Sequence, residues 1–78
     1  MSKENYQKIF IEALLIEKAN FTENLKYNDI PEWDSIGHMT LMSALEEGFA
    51  ITLETDDIVD FSSFKKGIEI LKKYKIKF

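Results

Sequence analysis

Apolar side chains return every three or four residues in four separate segments of this chain, a spacing that makes helices and little else. Tyr6, Ile9, Phe10, Ala13 and Leu14 predict a first helix over residues 3–17, with Ile11 and Leu15 as a second apolar line that widens its buried arc. Ile36, Met39, Met42, Leu45 and Phe49 predict a second over 35–48, with Asp34 or Ser35 as its N-cap and Gly48 at its end. Thr55, ahead of Asp56 and Asp57, predicts a short third helix over 55–60 that buries Ile58 and Phe61. A hydroxyl cap and first-turn carboxylates both suit the positive end of a helix. Ser62 or Ser63 caps a fourth helix reaching residue 74, on a stripe of Phe64, Ile68, Leu71 and Tyr74 or Lys75. Only Ile51 and Leu53 alternate as a strand would, and without a partner strand they read as loop residues turned into the core. The expected fold is all-α, a small four-helix bundle with a short third helix and a long loop between helices 1 and 2.

That loop, residues 18–33, contains Asn20, Asn24, Asn28, Asp29 and the only proline, Pro31, which disfavours a helical conformation at Ile30. Long loops in small domains are usually functional or packed onto the core, and Phe21, Leu25, Tyr27, Ile30 and Trp33 are the expected anchors. Seventy-eight residues make one domain over 1–78, near the lower limit for a chain that folds without staples. There is no cysteine, so neither disulfides nor a thiolate metal site is on offer, and thioester chemistry requires an added thiol. Gly67, inside the fourth helix, costs about 1 kcal/mol relative to alanine and marks a close-packed position. The longest apolar cluster, 9–16, is interrupted by Glu12 and is too short to span a bilayer. With no signal-peptide pattern at the N-terminus, a soluble cytoplasmic monomer that does not engage membranes is expected.

Charge is segregated along the chain. Residues 27–64 hold nine carboxylates and no lysine, while all ten lysines lie outside that span, four before it and six after. A one-sign acidic field of this kind repels nucleic-acid phosphates and attracts basic protein surfaces. No nucleic-acid partner is expected, since the middle helices carry no lysine or arginine to meet phosphates. The lysines of the last turn suit the negative end of a helix.

Inside the acidic span lies Trp33-Asp34-Ser35-Ile36-Gly37-His38-Met39, followed by Ala44-Leu45-Glu46-Glu47. Ser35 stands at the start of an amphipathic helix, where unpaired backbone N–H groups favour an attached phosphate. His38 is three residues on and within reach of Ser35. A hydrolytic dyad is nonetheless disfavoured, because so short a chain has little room for a pocket and an oxyanion hole, and His38 reads as an exposed surface residue. Gly37 reads either as a neutral surface position or as a side chain removed to clear access to Ser35. Met39 and Met42 read as core. Asp56, Asp57 and Asp60 lack the ordered spacing of a calcium loop and read as a solvated acidic helix.

The stretch resembles the serine-bearing segment of acyl carrier proteins, whose Asp-Ser-Leu motif is matched here by Asp34-Ser35-Ile36, and the likeness extends over about residues 3–75. The resemblance implies a non-enzymatic carrier with phosphopantetheine on Ser35 and Asp34 as motif neighbour. Its implied partners are a phosphopantetheinyl transferase, an acyl-loading ligase or transferase, and downstream acyl-consuming enzymes. By matched position it implies partner contacts at Glu46, Glu47, Asp56 and Asp57, with Ile36 and Met42 as apolar contacts or core. No carboxylate falls between Asp34 and Glu46, a departure from carriers of fatty acid synthesis that points to stand-alone carriers of specialised pathways. Carboxylates placed at 37 and 40 are therefore expected to improve use by fatty acid synthase enzymes. The competing reading is an acidic helical adaptor without a prosthetic group, in which Ser35 only caps a helix.

Overall fold

The computed structural model describes residues 2–78. Among the described residues there are four α-helices and no strand: α1 (Ser2–Leu14), α2 (Ser35–Phe49), α3 (Thr55–Asp60) and α4 (Phe64–Lys73). A single 3-10 turn, Lys18–Asn20, interrupts the long connection between α1 and α2. The Cα radius of gyration is 11.2 Å, about what a packed chain of this length should have. No helix among the described residues is long and apolar enough to cross a membrane.

The largest side chains of the core are aromatic. Tyr6 of α1 stacks on Phe64 of α4 at 4.4 Å, and its hydroxyl donates to the Phe64 carbonyl at 2.8 Å. Phe10 stands edge-on to both Trp33 (4.9 Å) and Phe64 (5.2 Å). Edge-to-face pairs of this kind add about 0.5–1.5 kcal/mol each beyond the area they bury. α1 lies against α2, and Leu14, Leu41, Met42, Leu45, Ile70 and Leu71 are among the residues buried around the rings. Gly67 is where α4 passes this cluster: a Cβ there would run into the Phe61 ring and the Tyr6 hydroxyl. Close packing at Gly67, read from its helical cost, is what the structure has.

The helix faces differ in register from the expected stripes. On α2 the buried residues are Leu41, Met42 and Leu45, whereas Ile36 is 79% and Met39 53% exposed. A helix of 3.6 residues per turn drifts relative to a strict three-four count, and the deeper side is the one holding Leu41. On α4 Gly67 and Ile70 are buried alongside Phe64 and Leu71, and Ile68 is only half-buried. Leu53 is buried and Ile51 half-buried, as their alternation predicts.

Helix ends also correct the sequence reading. α1 stops at Leu14, because Leu15 takes the left-handed conformation (φ 55°) and the Ile16 amide returns to the Ile11 carbonyl at 3.1 Å. The second apolar line on α1 is thereby cut, leaving Leu15 83% exposed while Ile16 is buried. α2 runs through Gly48 and ends after Phe49, with Ala50 left-handed and the Ile51 amide bonded to the Glu46 carbonyl at 3.0 Å. α4 closes the same way at Lys75 (φ 68°), the Ile76 amide returning to Leu71 at 3.3 Å. These are reverse-capping turns in which glycine is the usual residue, and here none has one. Holding a side chain left-handed costs about 1–2 kcal/mol, offset in a glycine variant by about 0.4–1 kcal/mol of extra chain entropy in the unfolded state. Leu15→Gly, which sacrifices an exposed side chain, is accordingly expected to raise stability by about 0.5–1 kcal/mol, a rise in midpoint of about 2–8 °C measurable by thermal denaturation. An unchanged or lower midpoint would mean that Leu15 contributes packing its exposure does not reveal.

Candidate functional site

Ser35 is the first residue of α2, and its setting is built by the connection before it. Asn28 turns the chain with a left-handed backbone (φ 70°), which asparagine tolerates, and its amide donates to the Trp33 carbonyl at 3.0 Å. Asp29 accepts the Lys26 amide on its carboxylate at 2.8 Å. The connection is pinned to the junction before α4 by an isolated antiparallel bridge, Lys26 to Ser63. There the Tyr27 amide donates to Ser62 (2.9 Å) and the Phe64 amide to Leu25 (3.0 Å). Of the five expected anchors, Leu25 and Trp33 are buried, Phe21 and Ile30 half-buried, and Tyr27 is at the surface. The pinned loop delivers Trp33 into the core immediately before Asp34 and Ser35.

Asp34, not Ser35, is the N-cap: its carboxylate accepts the Gly37 amide at 2.8 Å and its carbonyl accepts the His38 amide at 2.7 Å. The amides of Ser35 and Ile36 remain outside the helical ladder, and Ser35 is exposed. Beside it runs an open groove of about 380 Å³ between α2 and α3, lined by Ser35, His38, Met39, Ile58, Val59 and Phe61, with Tyr27 and Ser62 at the loop side. Ser35, Met39, Ser43 and Glu47 form one exposed line down α2 at steps of four. That line carries no charge until its last member.

Two readings near Ser35 are overturned. Gly37 is not a surface position: a Cβ there would strike the backbone carbonyl of Glu32 and press on the Leu14 side chain. It is the place where the loop crosses the head of α2, so a carboxylate at 37 is not a usable probe of partner preference. His38 is not an exposed surface residue but half-buried. Its Nδ1 accepts the Trp33 indole N–H at 2.9 Å, and its Nε2 lies 2.8 Å from the Ile58 carbonyl. Both ring nitrogens are thus engaged with groups other than Ser35.

The acidic residues divide by role. Glu47 and Asp56 are exposed. Glu46 is half-buried and accepts the Leu53 amide at 2.8 Å, fixing the chain after α2. Met42 is 1% exposed and belongs to the core, so of the two apolar candidates only Ile36 is presented at the surface. Asp57 is buried, bonded to the Lys73 ammonium and the Tyr74 hydroxyl, while that hydroxyl accepts the Glu54 amide at 2.9 Å. It clamps α3 to the end of α4 and offers no carboxylate to a partner. The spacing of Asp56 and Asp57 marked the helix start, but nothing local revealed that Asp57 faces inward. Nor does Thr55 cap α3: Glu54 precedes the helix without a side-chain cap, and Thr55 is its first residue.

The clamp has a defined pH range. Hydrogen bonds from Lys73 and then Tyr74 hold the Asp57 carboxyl below its ordinary range, against burial that opposes them. The same contact with Asp57 raises Lys73 and Tyr74. A depressed carboxylate contributes stability above its unfolded pKa, about 3.9, and loses it as pH falls through the lower folded value. The raised groups contribute below about pH 10 and lose it as pH rises through their folded values. Asp57→Asn is thus expected to lower the unfolding midpoint between about pH 5 and 9, with the gap to wild type closing in acid. A gap that persists unchanged to pH 2 would show that the charge on Asp57 is irrelevant to the clamp.

No protein-family model matches this sequence. The functional reading therefore stands on Ser35 and its surroundings.

Proposed function

We propose that this protein is a stand-alone carrier with the four-helix bundle arrangement of acyl carrier proteins, holding an acyl or aminoacyl group as a thioester on phosphopantetheine attached to Ser35. The observation that carries the proposal is the setting of one hydroxyl: Ser35 is exposed, first in α2, behind the Asp34 cap, at the rim of an apolar groove. The residues present fit the group. Two amides outside the helical ladder favour a phosphodiester at this position, and the groove offers an apolar wall beside it. When attached, phosphopantetheine supplies the thiol that this cysteine-free chain lacks.

In this reading the chain's own task is display rather than catalysis. Asp34 fixes the first turn, Gly37 lets the loop close over it, and Trp33 anchors that loop in the core. Exposed Glu47 and Asp56 attract basic surfaces on a phosphopantetheinyl transferase, a loading ligase or transferase, and the enzymes that consume the cargo. Tethering keeps the cargo at a high effective concentration for each of them. The uncharged line from Ser35 through Ser43 supports partners of a dedicated cytoplasmic pathway over those of bulk fatty acid synthesis. The deciding experiment is incubation with coenzyme A, magnesium and a broad-specificity transferase, followed by intact mass and peptide mapping. One phosphopantetheine on Ser35 is expected. No addition with several transferases, or addition at another serine, would favour an adaptor that binds basic partners through Glu47, Asp56 and Asp60.

A further inference from the structure

His38 sits one turn into α2 and joins three segments. The indole N–H of Trp33 can only donate and the carbonyl of Ile58 can only accept. With Nδ1 at 2.9 Å from the first and Nε2 at 2.8 Å from the second, only the neutral Nε2–H tautomer makes both bonds. A further proton has one place to go, Nδ1, where it meets the indole hydrogen head-on. The ring is also packed among aromatics: nearly parallel to Trp33 (18°, 6.2 Å between centroids) and edge-on to Tyr27 (5.4 Å) and Phe61 (6.1 Å).

The groups around it are few. The loop contributes Trp33 and Tyr27, and the junction after α3 contributes Phe61 and Ser62. From the head of α2 comes Asp34, whose carboxylate is held by the Gly37 amide. From α3 comes the Ile58 carbonyl, with Asp57 committed to Lys73 and Tyr74 and with Asp56 and Asp60 at the surface. Among the described residues no charged side chain lines the groove.

We propose that His38 is a positioning residue for Ser35 and that its protonation state sets the groove. Neutral, it ties Trp33 and α3 to the first turn of α2. Protonated at Nδ1, it loses the Trp33 bond, so the loop wall that carries Tyr27 separates from α2 beside Ser35. The proposal rests on the carrier reading only in naming Ser35 as the residue positioned.

The test uses the full chain, labelled with nitrogen-15, over about pH 8 to 5, the range in which histidines change charge. Nuclear magnetic resonance reads the His38 tautomer and the hydrogen-exchange protection of the Trp33 indole, corrected for intrinsic exchange. In wild type the Nε2–H tautomer is expected at pH 8, and indole protection should fall about five- to tenfold on acidification, the range expected for loss of one net hydrogen bond. His38→Gln keeps one donor and one acceptor without titrating, and should hold protection constant. In parallel, kcat/KM for transferase-catalysed modification of Ser35 with coenzyme A is taken as the ratio of variant to wild type at each pH, which cancels the transferase's own titration. That ratio should rise about five- to tenfold toward pH 5 for His38→Gln. Trp33→Phe removes the indole donor but keeps a ring, and its own pH response should follow the His38→Gln profile; it serves if the glutamine variant does not fold. An Nδ1–H tautomer at pH 8, or ratios and protection flat with pH, overturns the proposal. If no variant is modified at Ser35, the carrier reading fails, and the resonance measurements still decide the role of His38.

Discussion

Ser35→Ala is expected to abolish phosphopantetheine addition completely while leaving the unfolding midpoint where it was. The hydroxyl is exposed and the capping is done by its neighbour, so the substitution removes the acceptor atom and nothing that holds the helix. Alanine is also the strongest helix former. Asp34→Ala makes the informative contrast, because losing a capping carboxylate costs about 0.5–2 kcal/mol and leaves the Gly37 amide without its partner. Intact mass after incubation with coenzyme A and a transferase, beside a thermal melt of each variant, separates the two effects. Ser43→Ala, two turns further along the same exposed line, should change neither measurement. Residual modification of Ser35→Ala would move the attachment point and remove the basis of the carrier reading.

The second large effect is expected at Gly37. Any side chain there is driven into the Glu32 carbonyl, and that obstacle is backbone, with no rotamer by which to step aside. Overpacking usually costs about 1–3 kcal/mol, and the upper end applies where the obstacle cannot turn away. Gly37→Ala is therefore expected to lower stability by about 3 kcal/mol, a fall in midpoint of about 12–24 °C for a domain of this size. Gly48 is the control within the same helix: a Cβ there meets the far end of the Ile9 side chain, which can rotate, so Gly48→Ala should be neutral or stabilising. Equal melting curves for the two variants would mean that the loop over α2 yields freely. Partner preference is better probed by Thr40→Glu alone, since Thr40 is exposed.

Much of the helical outline was legible because it depends on local signals. Apolar spacing located α1, α2 and α4, and Ser63 does cap α4, accepting the Lys66 amide at 2.9 Å. The N-cap of α2 was narrowed to Asp34 or Ser35, and α3 was found at its observed limits. What escaped is decided by how the segments meet, or by helix ends that lack their usual residue. His38 looked like a surface residue because its partners are an indole and a carbonyl 20 positions away. Asp57 looked like one more acid in a solvated row, but residues 16 and 17 positions later draw it inward. Gly37 carried a signal, a glycine in the first turn of a helix, yet its reason lies in the loop above it. Leu15, Ala50 and Lys75 end their helices left-handed without glycine, so the usual sequence mark of those ends is missing.

The tie between residues 26–27 and 62–64 has a consequence for when the site comes into being. The loop that delivers Trp33 beneath the head of α2 is held by the Ser62 carbonyl and the Phe64 amide, and Tyr6 of α1 is bonded and stacked onto Phe64. During synthesis from the N-terminus, α1 and α2 emerge well before the residues that fix how they meet. Long-range contacts form only after the intervening chain has been closed into a loop. Ser35 therefore reaches its finished platform only once Phe64 is in place. If Ser35 carries phosphopantetheine as proposed, its attachment would be a check on the whole fold: a transferase that required the assembled head of α2 would mark only chains folded past that point.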